Sequence, residues 1–236
     1  SIGGRNATQE QRRVIELEDV SQSYGGGDLL SGISLRLAPG TFHFLTGPSG
    51  SGKTTMLRLC YADLLPTAGR VVLFGQEVRE LSRDGVAEAR RRIGVVHQDC
   101  QFLDHLSLAE NICLPLTVAG RDAGVADLKD LMGWVGLAAQ ANALPPSLSG
   151  GERQRAALAR AIITSPDVIL ADEPTGNLDW DMSLRLLTLL AELNRMGKTI
   201  LIATHDMNLI RAAKSQVQAR VLRIKDRRLQ LAGADL

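Results

Sequence analysis

The residues Gly47-Pro48-Ser49-Gly50-Ser51-Gly52-Lys53-Thr54 fit the phosphate-loop pattern G-x-x-x-x-G-K-[ST]. Glycines let the backbone turn tightly, so that successive amide hydrogens and the start of the following helix face phosphate oxygens, where the helix dipole favours negative charge. Ser49, Gly50, Ser51, Gly52, Lys53, Thr54 and Thr55 are therefore expected to hold a nucleoside triphosphate, Lys53 reaching the outer phosphates and Thr54 ligating magnesium. The plainer reading is a Gly/Ser turn with a solvated lysine. The apolar run Phe42 to Leu45 before the loop and the helix-forming Met56-Leu57-Arg58-Leu59 after it weigh against that.

A second chemical group follows far downstream. Val168-Ile169-Leu170-Ala171 reads as a buried strand that ends in Asp172 and Glu173, and doubly wound folds place ligand-binding groups at the carboxyl ends of their strands. Asp172 is placed to bind magnesium, directly or through water, and Glu173 to orient or deprotonate an attacking water. An acidic turn would need the same letters; the phosphate loop upstream favours the chemical reading. Ser149-Gly150-Gly151 followed by Glu152-Arg153-Gln154 makes another helix start receptive to anions.

The elements that must position these groups fall into two kinds. Val14 to Val20, Ile33 to Leu37 and Phe42 to Leu45 read as short strands punctuated by Gly25-Gly26-Gly27 and Pro39-Gly40, a hairpin-rich entry. Ile93 to Val96, Val168 to Ala171 and Thr199 to Ala203 are near-continuous apolar runs, as expected of parallel strands covered on both faces. Met182 to Arg195 carries apolar residues at helical spacing. The alternation argues for an α/β core with a mainly parallel sheet. From Gln98 to about Ala161 helical segments are expected to be broken at Pro115, Gly133 and Pro145-Pro146, forming a helical insertion. Val221, Leu222, Ile224, Leu229 and Leu231 suggest a final pair of strands. The cluster Arg220, Arg223, Lys225, Arg227 and Arg228 on them reads as a solvated hairpin or a sensor of anionic lipid.

At 236 residues and 44% hydrophobic, the chain can bury a large core without disulfides. Cys60, Cys100 and Cys113 are odd in number and lack metal-ligand spacing, which points to free thiols in a reducing compartment. A formal charge of +1 leaves no global footprint for nucleic acid. No apolar stretch approaches a membrane span, and the polar start Ser1 to Gln11 lacks the apolar core of a signal peptide, so the expectation is a soluble, cytosolic chain. His43, His97 and His105 lack ligand spacing, and Trp134 and Trp180 read as packing residues.

With Leu148-Ser149-Gly150-Gly151-Glu152 set beside the phosphate loop, the chain resembles the ATP-binding-cassette (ABC) family, whose signature is Leu-Ser-Gly-Gly-Gln/Glu. The resemblance runs from about Val14 to Leu229. It implies one ABC ATPase domain over 1–236: a RecA-like P-loop core with an antiparallel β subdomain over 14–97 and 162–236, and an inserted helical subdomain over 98–161. It also implies roles: Tyr24 stacking adenine, Gln98 in the glutamine loop and near magnesium, Asp179 in the D-loop, and His205 as the switch histidine beside the γ-phosphate, catalytic with Glu173. Without that company His205 would read as a helix-entry residue. The resemblance further implies a head-to-tail homodimer with ATP between the subunits, where Ser149 and Gly151 of one close over the ATP of the other.

Ala171 to Asp179, Glu110 to Leu116 and Thr204 to Ile210 are similar to the branch of the family containing FtsE, LolD and MacB. That branch implies a membrane partner, FtsX-like if the output is cell division, with the chain peripheral on the cytoplasmic face of the bacterial inner membrane. The partner's docking helix is expected beside Gln98 and Phe102 to Leu106. Lipoprotein release or efflux is the alternative within the branch, and a soluble ABC ATPase on nucleic acid or ribosomes the alternative outside it. Tyr61-Ala62-Asp63 and His97 depart from the pattern of the branch.

Overall fold

Strand β1 (Ile15–Ser23) buries Ile15, Leu17 and Val20 and pairs antiparallel with β2 (Asp28–Leu37). A register shift between Leu17 and Val20 restores the inward alternation, and Asp19 takes up the bend with φ of 49°. Strand β3 (Phe42–Thr46) then leaves this sheet. The structure is a computed structural model that describes residues 14–232; the polar start read in the sequence lies outside the described residues.

Helix α1 (Lys53–Cys60) follows the phosphate loop, and β4 (Ala68–Leu73) and β5 (Gln76–Glu77) complete an antiparallel sheet of order β2-β1-β4-β5. Helix α2 (Arg83–Arg91) leads into β6 (Ile93–Val96). Between β6 and β7 (Val168–Asp172) there are only helices and turns: α3 (Leu108–Val118), α4 (Val125–Trp134) and α5 (Gly150–Ile162) are the helices longer than one turn. Helix α6 (Trp180–Arg195), β8 (Thr199–Ala203), α7 (Met207–Ala213), β9 (Ala219–Lys225) and β10 (Arg228–Leu231) close the chain. The second sheet has the order β10-β9-β3-β8-β7-β6, parallel from β9 to β6, with β10 antiparallel at one edge.

Both faces of the central strands β3, β7 and β8 are buried, and each of these strands divides its residues between two cores. Phe42, Phe44, Ile169, Ala171, Ile200 and Ile202 face the cluster built with α3, α5 and α6. Leu45, Val168, Leu170, Leu201 and Ala203 face the cluster shared with α1 and the antiparallel sheet. Fully burying one such branched side chain contributes about 1.5–3 kcal/mol. The two-sided burial fixes the height of every strand end, and with it the height of the loops those ends carry.

Three expectations need correction. Phe42–Leu45 is no member of an N-terminal hairpin, since it lies between β8 and β9 as a central parallel strand. Pro115 sits inside α3 and Gly133 inside α4, so neither breaks its helix. The helix carrying Pro115 is started by a reciprocal Ser107–Glu110 capping box and buries Leu108, Ile112 and Leu116, and this packing outweighs the one hydrogen bond that proline removes. Trp180 is 45% exposed at the start of α6, so it is not a packing residue, whereas Trp134 donates its ring nitrogen hydrogen to Glu192 at 2.7 Å.

Candidate functional site

The end of β3 delivers the chain into a loop whose curvature rests on its glycines. Gly52 has φ of 104°, and a Cβ there would lie 2.8 Å from Leu30 Cδ2, so only glycine fits. Helix α1 starts at the next residue, with Gly52 as its N-cap and no side chain capping the first turn. Its free amide hydrogens are left to a ligand.

Lys53 is 7% exposed, and its ammonium donates to the carbonyls of Gly47 at 2.7 Å and Pro48 at 3.1 Å. Its third neighbour is Glu173 Oε1 at 3.9 Å. A buried ammonium bound to two loop carbonyls is a cation held at the loop's mouth by groups it can exchange for phosphate oxygens. Thr54 projects from the same turn and donates its hydroxyl hydrogen to Asp172 Oδ2 at 2.8 Å.

Asp172 and Glu173 stand at the end of β7. Burial pushes the Asp172 carboxyl above the usual carboxylate range; the neighbouring Glu173 charge adds to this, and the Thr54 hydroxyl opposes it. Glu173 holds φ of 45°, a left-handed backbone rare outside glycine. Its amide hydrogen reaches Ala203 O at 2.8 Å, which ties it to the end of β8. Oε1 of Glu173 accepts from the backbone N–H of His205 at 3.1 Å and lies 2.8 Å from His205 Nδ1.

A cavity of about 340 Å³ is lined by Leu29, Ser49, Gly50, Gly52, Lys53, Thr54, Thr55, Gln98, Asp172, Glu173 and His205. Groups from the ends of β3, β6, β7 and β8 thus meet on one opening. Leu29 is a lining residue that the sequence pattern did not single out, because an apolar residue on an antiparallel strand carries no chemical mark. Gln98 also lines a neighbouring cavity with Gly150, Arg153, Gln154 and Leu178, so it stands between the phosphate loop and the start of α5.

The remaining singled-out residues lie elsewhere. Ser51 and Tyr24 line an adjoining cavity, and Tyr24 is 56% exposed with its hydroxyl 3.4 Å from Thr55 Oγ1. Ser149 is exposed and caps α5, accepting from Glu152 N at 3.1 Å while its own N–H reaches Glu152 Oε1 at 2.9 Å. Gly151 is buried against Met182, and Asp179 caps α6 by accepting from Met182 N at 2.8 Å. None of these three lines the phosphate-loop cavity of its own chain.

The donor set suits a hard cation. A desolvated carboxylate beside a hydroxyl, with Gln98 on the same cavity, offers oxygen ligands of the kind magnesium takes. Among the described residues no cluster of three or more His, Cys, Asp or Glu could hold a metal alone.

The family described as ABC transporter matches residues 30–176. The cell division ATP-binding protein FtsE of Haemophilus influenzae is 43% identical over 202 residues, 84% of this chain and 92% of that protein. The FtsE of Escherichia coli K12 is 42% identical over 202 residues, covering 84% and 90%. Among solved structures, the dimeric post-hydrolysis state of the ATP-binding cassette MJ0796 bound to ADP and Pi superposes with a TM-score of 0.81. It is 33% identical, and the match covers 93% of this chain and all of that one.

Proposed function

We infer what this chain does from its membership: it belongs to the ABC transporter family, and it is an ABC-type ATPase that binds ATP. Its relatives at 37–43% identity include cell division ATP-binding proteins FtsE and, at 39%, a methionine import ATP-binding protein MetN; its role is that of the ATPase of an ABC complex. We take 14–97 with 162–236 as the nucleotide-holding core and 98–161 as its helical insertion.

The observation that carries the assignment of residues is the meeting of Lys53, Thr54, Gln98, Asp172, Glu173 and His205 on one cavity. In our reading Ser49 to Thr55 hold the phosphates, with Lys53 on the outer ones. Asp172, Thr54 and Gln98 would hold magnesium, whose chemistry is to neutralise phosphate charge. Glu173 accepts the proton of the attacking water, and His205, hydrogen-bonded to that carboxylate, orients it and faces the γ-phosphate. The test is Glu173→Gln: ATP affinity should stay within about threefold while turnover falls about 100-fold or more, since an amide cannot take the proton. Near-normal turnover would remove Glu173 from this role. Chelation of divalent cations should stop hydrolysis in the unaltered chain.

Ser149, Gly151 and Asp179 require a second subunit in this reading. An exposed, capped helix start that does not line the phosphate-loop cavity of its own chain suits ATP held by the opposite copy of a head-to-tail homodimer. Charge-assisted hydrogen bonds contribute about 1.5–3 kcal/mol each, so loss of the γ-phosphate weakens the closed pair. Glu173→Gln with ATP should run as a dimer in a mass measurement and with ADP as a monomer. Equal dimerisation with both nucleotides contradicts the reading.

No helix among the described residues is long and apolar enough to cross a membrane. We assign the transmembrane part to an FtsX-like integral membrane protein, with this chain peripheral to it on the cytoplasmic face. The docking helix is expected beside Gln98 and Phe102 to Leu106; a groove of about 740 Å³, lined by Tyr61, Arg90, Arg91, His97, Val118 and Arg160 among others and by none of those residues, opens at the neighbouring His97 and extends that place. Phe102 packs under Arg153 and Arg160, while Leu103 is 44% exposed, so Leu103 rather than Phe102 is free for the partner. The departures Tyr61 and His97 both lie on this groove, where a particular partner would select them. Arg91→Glu should abolish co-purification with the membrane subunit and leave hydrolysis by the isolated chain unaltered; retained co-purification would move the docking place elsewhere.

A further inference from the structure

A cavity of about 760 Å³ shares Leu29 and Gly50 with the phosphate-loop cavity, so the two adjoin across these residues. Its volume falls in the range of small-molecule sites. One wall is Tyr24 with the turn Gly26 to Asp28, and the floor is Pro48, Gly50 and Ser51. The opposite wall comes from the far end of the chain: Arg223, Ile224, Lys225, Asp226 and Arg227, at the turn between β9 and β10.

That turn is held against the phosphate loop. Strand β9 runs parallel to β3 with Arg223 registered on Thr46, the residue before the loop. A Cβ on Gly47 would lie 3.0 Å from Ile224 O, so the backbones of loop and hairpin are in contact. Asp226 and Arg227 have φ of 50° and 67°, the left-handed pair of a two-residue hairpin turn. Arg227 O accepts from Ser31 N at 2.8 Å, which pins the turn to β2. Among the described residues none of Arg223, Lys225 and Arg227 makes a salt bridge.

We propose that the β9–β10 turn is the second face of the base site, with the guanidinium groups of Arg223 and Arg227 stacking on the nucleotide base opposite Tyr24. The proposal rests on the reading of the phosphate loop and Tyr24 given above. Planar guanidinium groups stack on aromatic rings, and every nucleobase offers a π face. Phosphates seated on Ser49 to Thr55 leave the nucleoside to the contiguous cavity, where the Tyr24 ring alone would cover one side. The strand order explains how residues about 200 positions apart in sequence come to share a ligand, since β9 is the neighbour of the strand that feeds the loop.

The test compares ATP with inorganic tripolyphosphate, which has phosphates and no base, as ligands of the full chain. In Arg223→Ala/Arg227→Ala the Kd for ATP should rise about fivefold or more, as loss of one stacking partner implies. The Kd for tripolyphosphate should stay at the wild-type value. Tyr24→Ala should show the same split, and GTP should weaken as ATP does. Unchanged ATP affinity overturns the proposal, and so does an equal loss for both ligands, which would make the arginines a general attraction for anions. Should the double variant not fold, Arg227→Lys and Arg223→Lys keep charge and remove the plane: weaker ATP with unaltered tripolyphosphate supports stacking, and wild-type behaviour overturns it. Failure of the unaltered chain to bind either ligand would instead sink the reading of the phosphate loop.

Discussion

Glu173 and Asp172 are adjacent carboxylates in unlike settings, and the difference decides what each can do. Asp172 is drawn into the sheet end, where burial opposes its charge, and Thr54 offers one hydroxyl in return. Glu173 carries a left-handed backbone that an L-residue adopts at a cost of about 1–2 kcal/mol. The His205 N–H, the His205 ring and the Lys53 ammonium all converge on its Oε1. Strain kept at a site of this kind is expected where position is needed more than stability. Asp172→Asn tests the other half of the pair. An amide still accepts the Thr54 hydrogen bond, more weakly than a carboxylate, and carries no charge to desolvate; because burial is the largest influence on Asp172, the nucleotide-free variant should melt higher than wild type. Its magnesium-dependent hydrolysis should fall about 100-fold or more, because the amide is a weak ligand for a hard cation. Calorimetry beside a phosphate-release assay checks both halves, and a lower melting temperature would mean that the charge is solvated.

Helix α5 shows how one element serves two ends. Ser149 closes the helix start with a reciprocal capping box to Glu152, and the hydrogen bonds to Ser149 are the chief cause holding the Glu152 carboxyl below its usual range. The same start is the surface proposed to meet ATP of the opposite subunit. Aspartate caps helices as well as serine does, so Ser149→Asp should leave the urea midpoint near wild type while its charge abolishes ATP-driven dimerisation. Ser149→Ala should lower stability by about 0.5–2 kcal/mol through the lost cap. Several elements were legible from letters alone: Ile93–Val96 and Thr199–Ala203 are strands with those bounds, because fully buried parallel strands leave unbroken apolar runs. What the letters hid was pairing. Nothing local distinguishes Phe42–Leu45 as the partner of β8 and β9 rather than of β2, because strand order is set by crossovers that no short window contains. Arg83–Arg91 is hidden for a different reason: it carries helix-end signals, with Ser82 capping Gly85, Asp84 in the first turn and Arg90 and Arg91 in the last, but it buries only Ala89 and so lacks an apolar stripe. The residues that meet on the phosphate-loop cavity carry a mark in the sequence because phosphate chemistry demands particular side chains in a short span, whereas Arg223 and Arg227 reach their cavity only through the sheet.

Across the whole molecule the central sheet is both scaffold and constraint, and His43 is where the constraint shows. It lies three positions after the strand-opening turn Pro39-Gly40 and four before Gly47, 4% exposed and paired in register with Leu201 on one side and Arg220 on the other. Its Nδ1 has no hydrogen-bond partner. Burial, and then the charge of Arg220, push its pKa below the ordinary histidine value. The sign of the linkage follows. The unfolded chain takes up the proton first, at about pH 6.5, while the folded chain still excludes it. Stability is therefore full above that pH and is lost as pH falls toward the lower folded value, below which both states are protonated and the loss stops. His43→Leu removes a titrating group and an unsatisfied polar atom from the core, so at pH 7.5 it should be neutral or stabilising. Between pH 6.5 and 5 its urea midpoint should fall less steeply than that of wild type, and the difference between the two curves isolates this one side chain from the carboxylates that titrate beside it. Parallel curves would mean that water reaches His43, and that the sheet feeding the phosphate loop is looser than its packing implies.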